Sequence, residues 1–359
     1  MSNARKLADN LPSVGQLSGR NVITNGSMSI DQRNSGSAVT PATDAYYTID
    51  RFRARLNNAS KYSVQQVTDA PSGFLKSLKI TSLAATTVGT NDYYQINTAL
   101  EGYNVTQLDL GLSSAKKLTL SFWVKSSLTG TFGGAYSNNV GNRFYAWTYT
   151  ISSANTWEHK TITVDGVTDG SWERTTGAGL HVYWTLGAGS GVQGSAGSWG
   201  TTFKRGPTGA TNVVATNGAT WQITGVQLEV GSQSTPFEHE SYETTLRKCQ
   251  RYYYTLKALP NGKHIGSCTM RNNQYFYGYP RSFPTPMRIA PTFTYNNVSL
   301  YVGDNTNGYN TMSLAAAETD AFSLNGNAAG AVTAAETGHS GLLYIDTYSD
   351  RHVTFDAEL

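Results

Sequence analysis

The side chains best suited to chemistry in this sequence are its aromatics. Tyr145, Trp147 and Tyr149 occupy alternate positions in residues 143–151, so an extended backbone sets them on one side. Sugar rings have apolar faces edged by hydroxyls, and Trp or Tyr rings flanked by Asn, Asp and Gln stack on them. If that side is exposed, the three form a glycan platform; if it points inward, they are core. Trp184 and Trp199, beside the Gly-rich stretch 187–200, carry the same two readings. Tyr275, Phe276 and Tyr277 alternate faces, so at most part of that set reaches the surface.

Bond-breaking chemistry finds less support. A Ser-His-Asp hydrolase needs a nucleophile on a tight turn between strand and helix, and no Gly-x-Ser-x-Gly elbow of that kind is present. Gly189-Ser190-Gly191 and Gly197-Ser198 read as linker. His159, His181, His239, His264, His339 and His352 contain no pair at metal-ligand spacing. Glu238-His239-Glu240 is the densest ionisable cluster and reads as a solvated turn. Asp165-Gly-Val-Thr-Asp169 offers oxygens to a calcium ion or is a plain turn. A glycosidase needs two convergent carboxylates, and nothing favours any pair. Neither a P-loop nor a dinucleotide fingerprint occurs. The expectation is a protein with no catalytic residues, metal or cofactor.

The elements that position these residues follow from composition and period. The chain has 359 residues, of which 14% are charged, against about 25% in an ordinary soluble domain. Its 36 glycines and 22 tyrosines accompany only 10 prolines. The net charge of +3 is scattered, giving no basic stripe for a phosphate backbone, so nucleic acid is not an expected partner. No apolar run reaches membrane-spanning length, so no membrane insertion is expected, and residues 1–20 lack a signal-peptide core. Cys249 and Cys268 suit neither a disulfide framework nor a metal site and read as buried thiols.

Residues 21–240 read as short strands between Gly, Ser, Asn and Asp clusters. In 117–125, Leu118, Leu120, Phe122 and Val124 face one way, with Lys117, Thr119, Ser121 and Trp123 opposite. Residues 77–82, 143–151, 160–164, 180–186 and 220–230 are further strands. Without intervening helices, such strands predict a sandwich or jelly roll. Ser241 caps a predicted helix with Tyr242, Leu246, Cys249 and Tyr253 at helical spacing, and residues 255–359 return to strand texture. At the other end, Leu7 and Leu11 share a helical face that Val14 and Leu17 continue. So short a helix needs something to dock on. The predicted organisation is all-β: a short N-terminal anchoring segment (1–20), a jelly-roll β-sandwich (21–240), a helical connector (241–254) and a C-terminal β-domain (255–359).

Several segments resemble one family in order. Residues 220–254, TWQITGVQLEVGSQSTPFEHESYETTLRKCQRYYY, are similar to a "GVQLEVG…TPFE" strand followed by a "SY…L..CQRYY" helix. Residues 21–36, NVITNGSMSIDQRNSG, resemble the same family's first strand. Residues 45–54, AYYTIDRFRA, resemble its "Y..DRW" element, with Phe52 in place of Trp. KLTLSFWVKS (117–126), NTWEHKTITV (155–164) and SFPTPMRIAPTFTY (282–295) agree with later pieces. The family comprises tail-fibre-like and receptor-binding virion proteins of tailed bacteriophages with a carbohydrate-binding-module-like β-sandwich.

The resemblance implies a non-enzymatic structural virion protein, assembled in the bacterial host cytoplasm. It would be held to other virion proteins through residues 1–20, anchored by Leu7, Leu11, Val14 and Leu17, and would form a homotrimer that displays β-domains to a host surface glycan. It also implies that Leu228, Val230, Phe237 and Trp157 fill the inter-sheet core and that Arg251 holds the connector. It supplies no ligand-contacting residues; Tyr145, Trp147, Tyr149, Trp184 and Trp199 remain the candidates. The alternatives are a capsid-attached head fibre or decoration protein, and a polysaccharide-depolymerase tailspike.

Overall fold

The structure, a computed structural model, describes residues 19–257, 263–271, 275–296, 298–302, 305–308, 311–327, 340–345 and 352–359. Leu7, Leu11, Val14 and Leu17 lie outside the described residues. The chain divides into two compact units, one running to Thr245 and including Leu359, the other Leu246–Glu358. Among the described residues, no helix is long and apolar enough to cross a membrane.

The strands of the first unit are β1 (Arg53–Leu56), β2 (Tyr62–Val67), β3 (Ser77–Ser82), β4 (Tyr93–Glu101), β5 (Leu118–Ser126), β6 (Gly130–Ser137), β7 (Phe144–Ile151), β8 (Glu158–Val164), β9 (Ala178–Ala188), the two-residue β10 (Gln193–Gly194), β11 (Trp199–Gly200) and β12 (Gly206–Pro207), and β13 (Thr220–Val230). They build a six-stranded sheet in the order β1-β4-β9-β6-β7-β11 and a five-stranded sheet in the order β2-β3-β13-β5-β8. Every pairing within these two sheets is antiparallel. The chain crosses repeatedly between the sheets, as a jelly-roll sandwich requires.

Period-two alternation decides which side chains meet. Leu118, Leu120, Phe122 and Val124 of β5 are all fully buried, as their spacing predicts. Phe122 reaches across the sandwich to Tyr149, Trp147 and Trp184 of the six-stranded sheet, with ring centroids 5.2, 6.1 and 5.9 Å away. Phe52 is 3% exposed and packs on Trp184 at 6.2 Å, so the position where the resembled motif carries Trp is a core site. Midway along β13 the pairing with β5 shifts between Thr224 and Gln227. Gly225 sits there at φ +62°, and a Cβ would lie 2.7 Å from the Phe74 ring. The bulge therefore needs glycine for both conformation and space.

The segment before β1 closes the sandwich along β13. Asn21 donates its side-chain amide to Val226 O at 3.1 Å and accepts from Leu228 N at 3.1 Å. Val22, Ile23, Met28 and Ile30 are buried beneath it.

The helix Tyr242–Gln250 begins where predicted, with Ser241 Oγ accepting from Thr244 N at 3.2 Å. Its buried positions are Thr245 and Cys249, whereas Tyr242 is exposed and Tyr253 already belongs to the next strand. Of the predicted apolar series, Cys249 is buried and Leu246 half-buried, while its two ends, Tyr242 and Tyr253, fall off the buried face or outside the helix.

In the second unit, β14 (Tyr253–Lys257), β15 (Lys263–Met270), β16 (Tyr275–Gly278), β17 (Arg281–Ser282), β18 (Thr292–Asn296), β19 (Val298–Val302), β20 (Asn305–Gly308), β21 (Thr311–Ala317), β22 (Ala321–Asn327), β23 (Ser340–Ile345) and β24 (His352–Asp356) form two sheets. One is three-stranded, β14-β24-β18; the other runs β17-β22-β16-β15-β23-β19-β20, with β21 paired to β22. Phe355 of the smaller sheet packs on Phe322 and Phe283 at 4.4 and 5.0 Å, and Tyr254 joins this core. Arg251 donates to Pro286 O at 3.3 Å. Phe276 is buried while Tyr275 and Tyr277 are exposed, the alternation read from the sequence. Cys249 and Cys268 are buried and share no disulfide, and burial pushes the Cys268 thiol up to about 11.

Candidate functional site

The aromatic stripe of β7 faces the core. Trp147 and Tyr149 of β7 are 2% and 6% exposed and Trp184 of β9 0%, because the sides of the strands they occupy pack against Phe122 of the other sheet. These three cannot offer a ring face to a sugar, which corrects the platform reading for each. Buried Tyr149 accepts a hydrogen bond from Trp221 Nε1 at 3.0 Å, and burial pushes its phenol well above the usual range.

Tyr145 and Trp199 are half-buried at the sheet edge, ring to ring at 5.3 Å, with Trp172 5.9 Å from Trp199. The indoles of Trp199 and Trp172 donate to the carbonyls of Asp165 and Asp169 at 2.8 and 3.0 Å. This edge cluster therefore braces the 165–169 loop. The two carboxylates of that loop go to separate cations. Lys117 pairs with Asp165, and Arg143 clasps Asp169 at 2.5 and 2.6 Å. The loop does not gather its oxygens around a common point. Among the described residues, no group of three His, Cys, Asp or Glu side chains is placed to hold a metal ion.

Phe237 and Trp157 also depart from the core positions the resemblance implied. Phe237 packs on Phe74 at 5.0 Å, and Phe74 lies over Gly225 beside Trp123, on the outer side of the five-stranded sheet. Trp157 lies under Lys125 on that same outer side and donates to Asp69 Oδ1 at 3.2 Å. Leu228 is fully buried in the inter-sheet core, as implied, and Val230 packs against that core half-buried.

The outer face of the six-stranded sheet is where polar chemistry collects. Cross-strand pairing arranges it in rows. One row runs Arg55, Gln95, Thr185, Gly133, Thr148; the next runs Arg53, Asn97, Tyr183, Ala135, Ala146. His181 sits in the third row beside Ser137. Polar side chains and Tyr183 thus fill the β1-β4-β9 half, and in the first two rows small residues fill the β6-β7 half.

That difference lets the segment around β12 lie on the small half. A Cβ on Gly133 would come within 2.2 Å of Pro207 Cγ, so only glycine admits the proline. Phe203 packs there on Tyr183 and Phe144 at 5.8 and 6.0 Å. The segment forms one wall of a groove. Its floor is the buried Gln95, Asn97 and Tyr183; Arg53, Arg55, Tyr93, His181, Phe203 and Arg205 line it half-buried.

Arg205 is held by the floor. Its carbonyl accepts from Thr185 Oγ1 at 2.8 Å and from Gln95 Nε2. Its guanidinium lies 3.8 Å from the Tyr93 ring centre and 4.8 Å from that of Phe203. Across the groove, Arg55 Nε donates to Asp44 Oδ2 at 2.6 Å and stacks 5.9 Å from Tyr183. Arg53 donates to Asp44 O at 3.2 Å. Burial and the charge of Arg55 pull Arg205 below the ordinary arginine value, against the opposing influence of Tyr93. Burial, followed by Arg55, Arg53 and Arg51, lowers His181 to about 4, so the imidazole is neutral at physiological pH. Four buried atoms of this groove have no protein partner: Arg53 Nε, Gln95 Oε1, His181 Nδ1 and Arg205 Nη1. Such atoms are costly unless something pairs with them.

The sequence alone does not single these residues out, because polar side chains at alternate strand positions read as an ordinary solvated face. The available signal was the complementary register: Arg53 and Arg55, Tyr93 and Gln95, and His181 and Tyr183 each sit two apart, on the face opposite the apolar positions.

No protein-family model matches the sequence, and no curated protein matches it. Solved structures with similar strand layout include three of note. A putative sugar binding protein from Bacteroides thetaiotaomicron is 12% identical, with 59% of this chain and 100% of that one covered and a TM-score of 0.35. The carbohydrate-binding module TmCBM61, in complex with β-1,4-galactotriose, is 10% identical, with 59% and 99% covered and a TM-score of 0.30. The enzymatically active domain of tailspike protein 4 of bacteriophage CBA120 is 12% identical, with 59% of this chain covered and a TM-score of 0.30. This chain spans about a fifth of that tailspike, 21%. At such scores the likeness says nothing of ligand or activity.

Proposed function

We propose that this chain is a non-enzymatic carbohydrate-binding protein whose ligand lies in the groove on the outer face of the six-stranded sheet. The observation that carries the reading is the row of guanidinium, amide, imidazole and aromatic groups built on rigid strands, with unpaired polar atoms beneath. Sugar recognition needs that combination: ring faces for the apolar side of the sugar and fixed donors and acceptors for its hydroxyls. A site on paired strands is also preorganised, so little ordering cost falls on binding.

The setting proposed for it is the virion of a tailed bacteriophage, as a tail fibre or receptor-binding spike that meets a host surface glycan. The support is the ordered set of motifs between residues 21 and 295. In this reading residues 1–20 attach the chain to other virion proteins, and a homotrimer multiplies weak sugar contacts by effective concentration. A head fibre or decoration protein would use the same face at another address.

The test is titration of the purified chain with host surface polysaccharide. Tyr93→Ala and Phe203→Ala, which remove the rings that flank the Arg205 guanidinium, are expected to weaken binding about tenfold while leaving the chain folded. Full binding by both variants, or none by the native chain, would reject the site. Release of reducing ends during the titration would reject the non-enzymatic role.

A further inference from the structure

We propose that the groove on the outer face of the six-stranded sheet selects a saccharide bearing a carboxylate, which it holds among Arg53, Arg55 and Arg205. The proposal rests on the reading of this face as a glycan site and adds the ligand's charge.

The first support is charge complementarity. Three half-buried guanidiniums line the groove, and the Asp44 carboxylate pairs with Arg55 among them. Asp44 is already committed, since Oδ2 accepts from Arg55 Nε at 2.6 Å and Oδ1 from the Leu56 amide at 2.5 Å. His181 is neutral and offsets nothing. Lys204, in the same wall, adds another cation, its ammonium donating to Gly191 O at 3.1 Å. The groove thus holds a local cationic excess although the chain's net charge is only +3.

The second support is the pattern of unpaired atoms. Arg53 Nε and Arg205 Nη1 are buried donors with no protein acceptor; Arg53 stands on β1, and Arg205 lies over the Tyr93 ring. A guanidinium edge matches a carboxylate in two parallel hydrogen bonds, which a neutral hydroxyl cannot reproduce. Gln95 Oε1, on the floor, and His181 Nδ1 are buried acceptors. They suit the hydroxyls of the sugar that carries the acid. A bare anion would leave both acceptors unpaired, so the set asks for an acid and hydroxyls on one ligand.

The third support is rigidity. The floor fixes the Arg205 backbone through Thr185 and Gln95, while Tyr93 and Phe203 flank its guanidinium. The cation is positioned before any ligand arrives.

The experiment is calorimetric titration, at low salt, with three probes: a galacturonic acid trisaccharide, the neutral galactose trisaccharide and an oligothymidylate. The expected result is that the acid sugar binds at least about tenfold tighter than the neutral one. Arg53→Gln and Arg205→Gln should each remove about tenfold for the acid and cost the neutral sugar much less, so that the preference for the acid shrinks. Arg205→Lys should fall between, because it keeps charge without the fork. Unchanged thermal midpoints establish that the variants fold, and Arg53→Gln stands alone if Arg205→Gln does not. Equal affinity for acid and neutral sugars would overturn the charge selection and leave the glycan site standing. Binding of neither sugar would overturn both. Tighter binding of the oligothymidylate would overturn the proposal in favour of a nucleic-acid strand.

Discussion

Trp221 of the five-stranded sheet donates its indole N–H to the Tyr149 hydroxyl of the six-stranded sheet at 3.0 Å, and both residues are buried. This hydrogen bond crosses the sandwich core and gives its aromatic packing a register. Removing the hydroxyl leaves a buried donor unpaired, at a cost of about 1–3 kcal/mol. Tyr149→Phe is therefore expected to lower the denaturant midpoint without changing the slope of the unfolding transition. A midpoint equal to that of the native chain would show that the bond adds no stability.

Trp184 is wholly buried and meets Phe52, Phe122 and Trp147. Trp184→Ala is expected to destabilise the first unit by about 3–5 kcal/mol, the scale for truncating a large core aromatic. Chemical denaturation measures this directly. A folded variant of native stability that had lost only sugar binding would contradict the core placement.

His181 supplies a pH signature. Its folded value of about 4 lies below the ordinary 6.5, so between those limits the unfolded chain binds a proton that the folded chain does not. Stability is therefore expected to fall as pH drops from about 6.5 towards 4 and to be insensitive to this group above that window. Comparing the native chain with His181→Gln isolates the effect, since carboxylates are common to both. Identical pH profiles would mean that the imidazole titrates normally.

Gly133 is the hinge of the groove's construction. An added methyl would meet Pro207 at 2.2 Å and the Trp147 carbonyl at 2.6 Å, the latter being backbone that cannot step aside. Gly133→Ala is expected to loosen the β12 wall and weaken sugar binding. It should also expose the segment around residue 205 to limited proteolysis, read by mass spectrometry. Unaltered binding and cleavage would show that the wall does not depend on this contact.

The two-residue alternation in Leu118–Val124 already determined that this chain is built from half-buried strands. The same period separated Phe276 from Tyr275 and Tyr277, and the capping side chain of Ser241 marked where the helix begins. A polar residue on a strand must leave the core or find a partner, and that rule acts within a few residues. The identity of the solvent side of each sheet is another matter. The period alone leaves Tyr145, Trp147 and Tyr149 open to a core or a sugar platform, and the arrival of Phe122 from the other sheet commits Trp147 and Tyr149 to the interior. The helix Tyr242–Gln250 shows the same limit, because its buried face is chosen by what packs against it. The groove was the least legible feature. Arg53, Gln95, His181 and Arg205 come from four separate stretches, and non-local strand pairing brings them together. Local sequence encodes which residues share a side of one strand; which strands lie side by side is a property of the whole chain's packing.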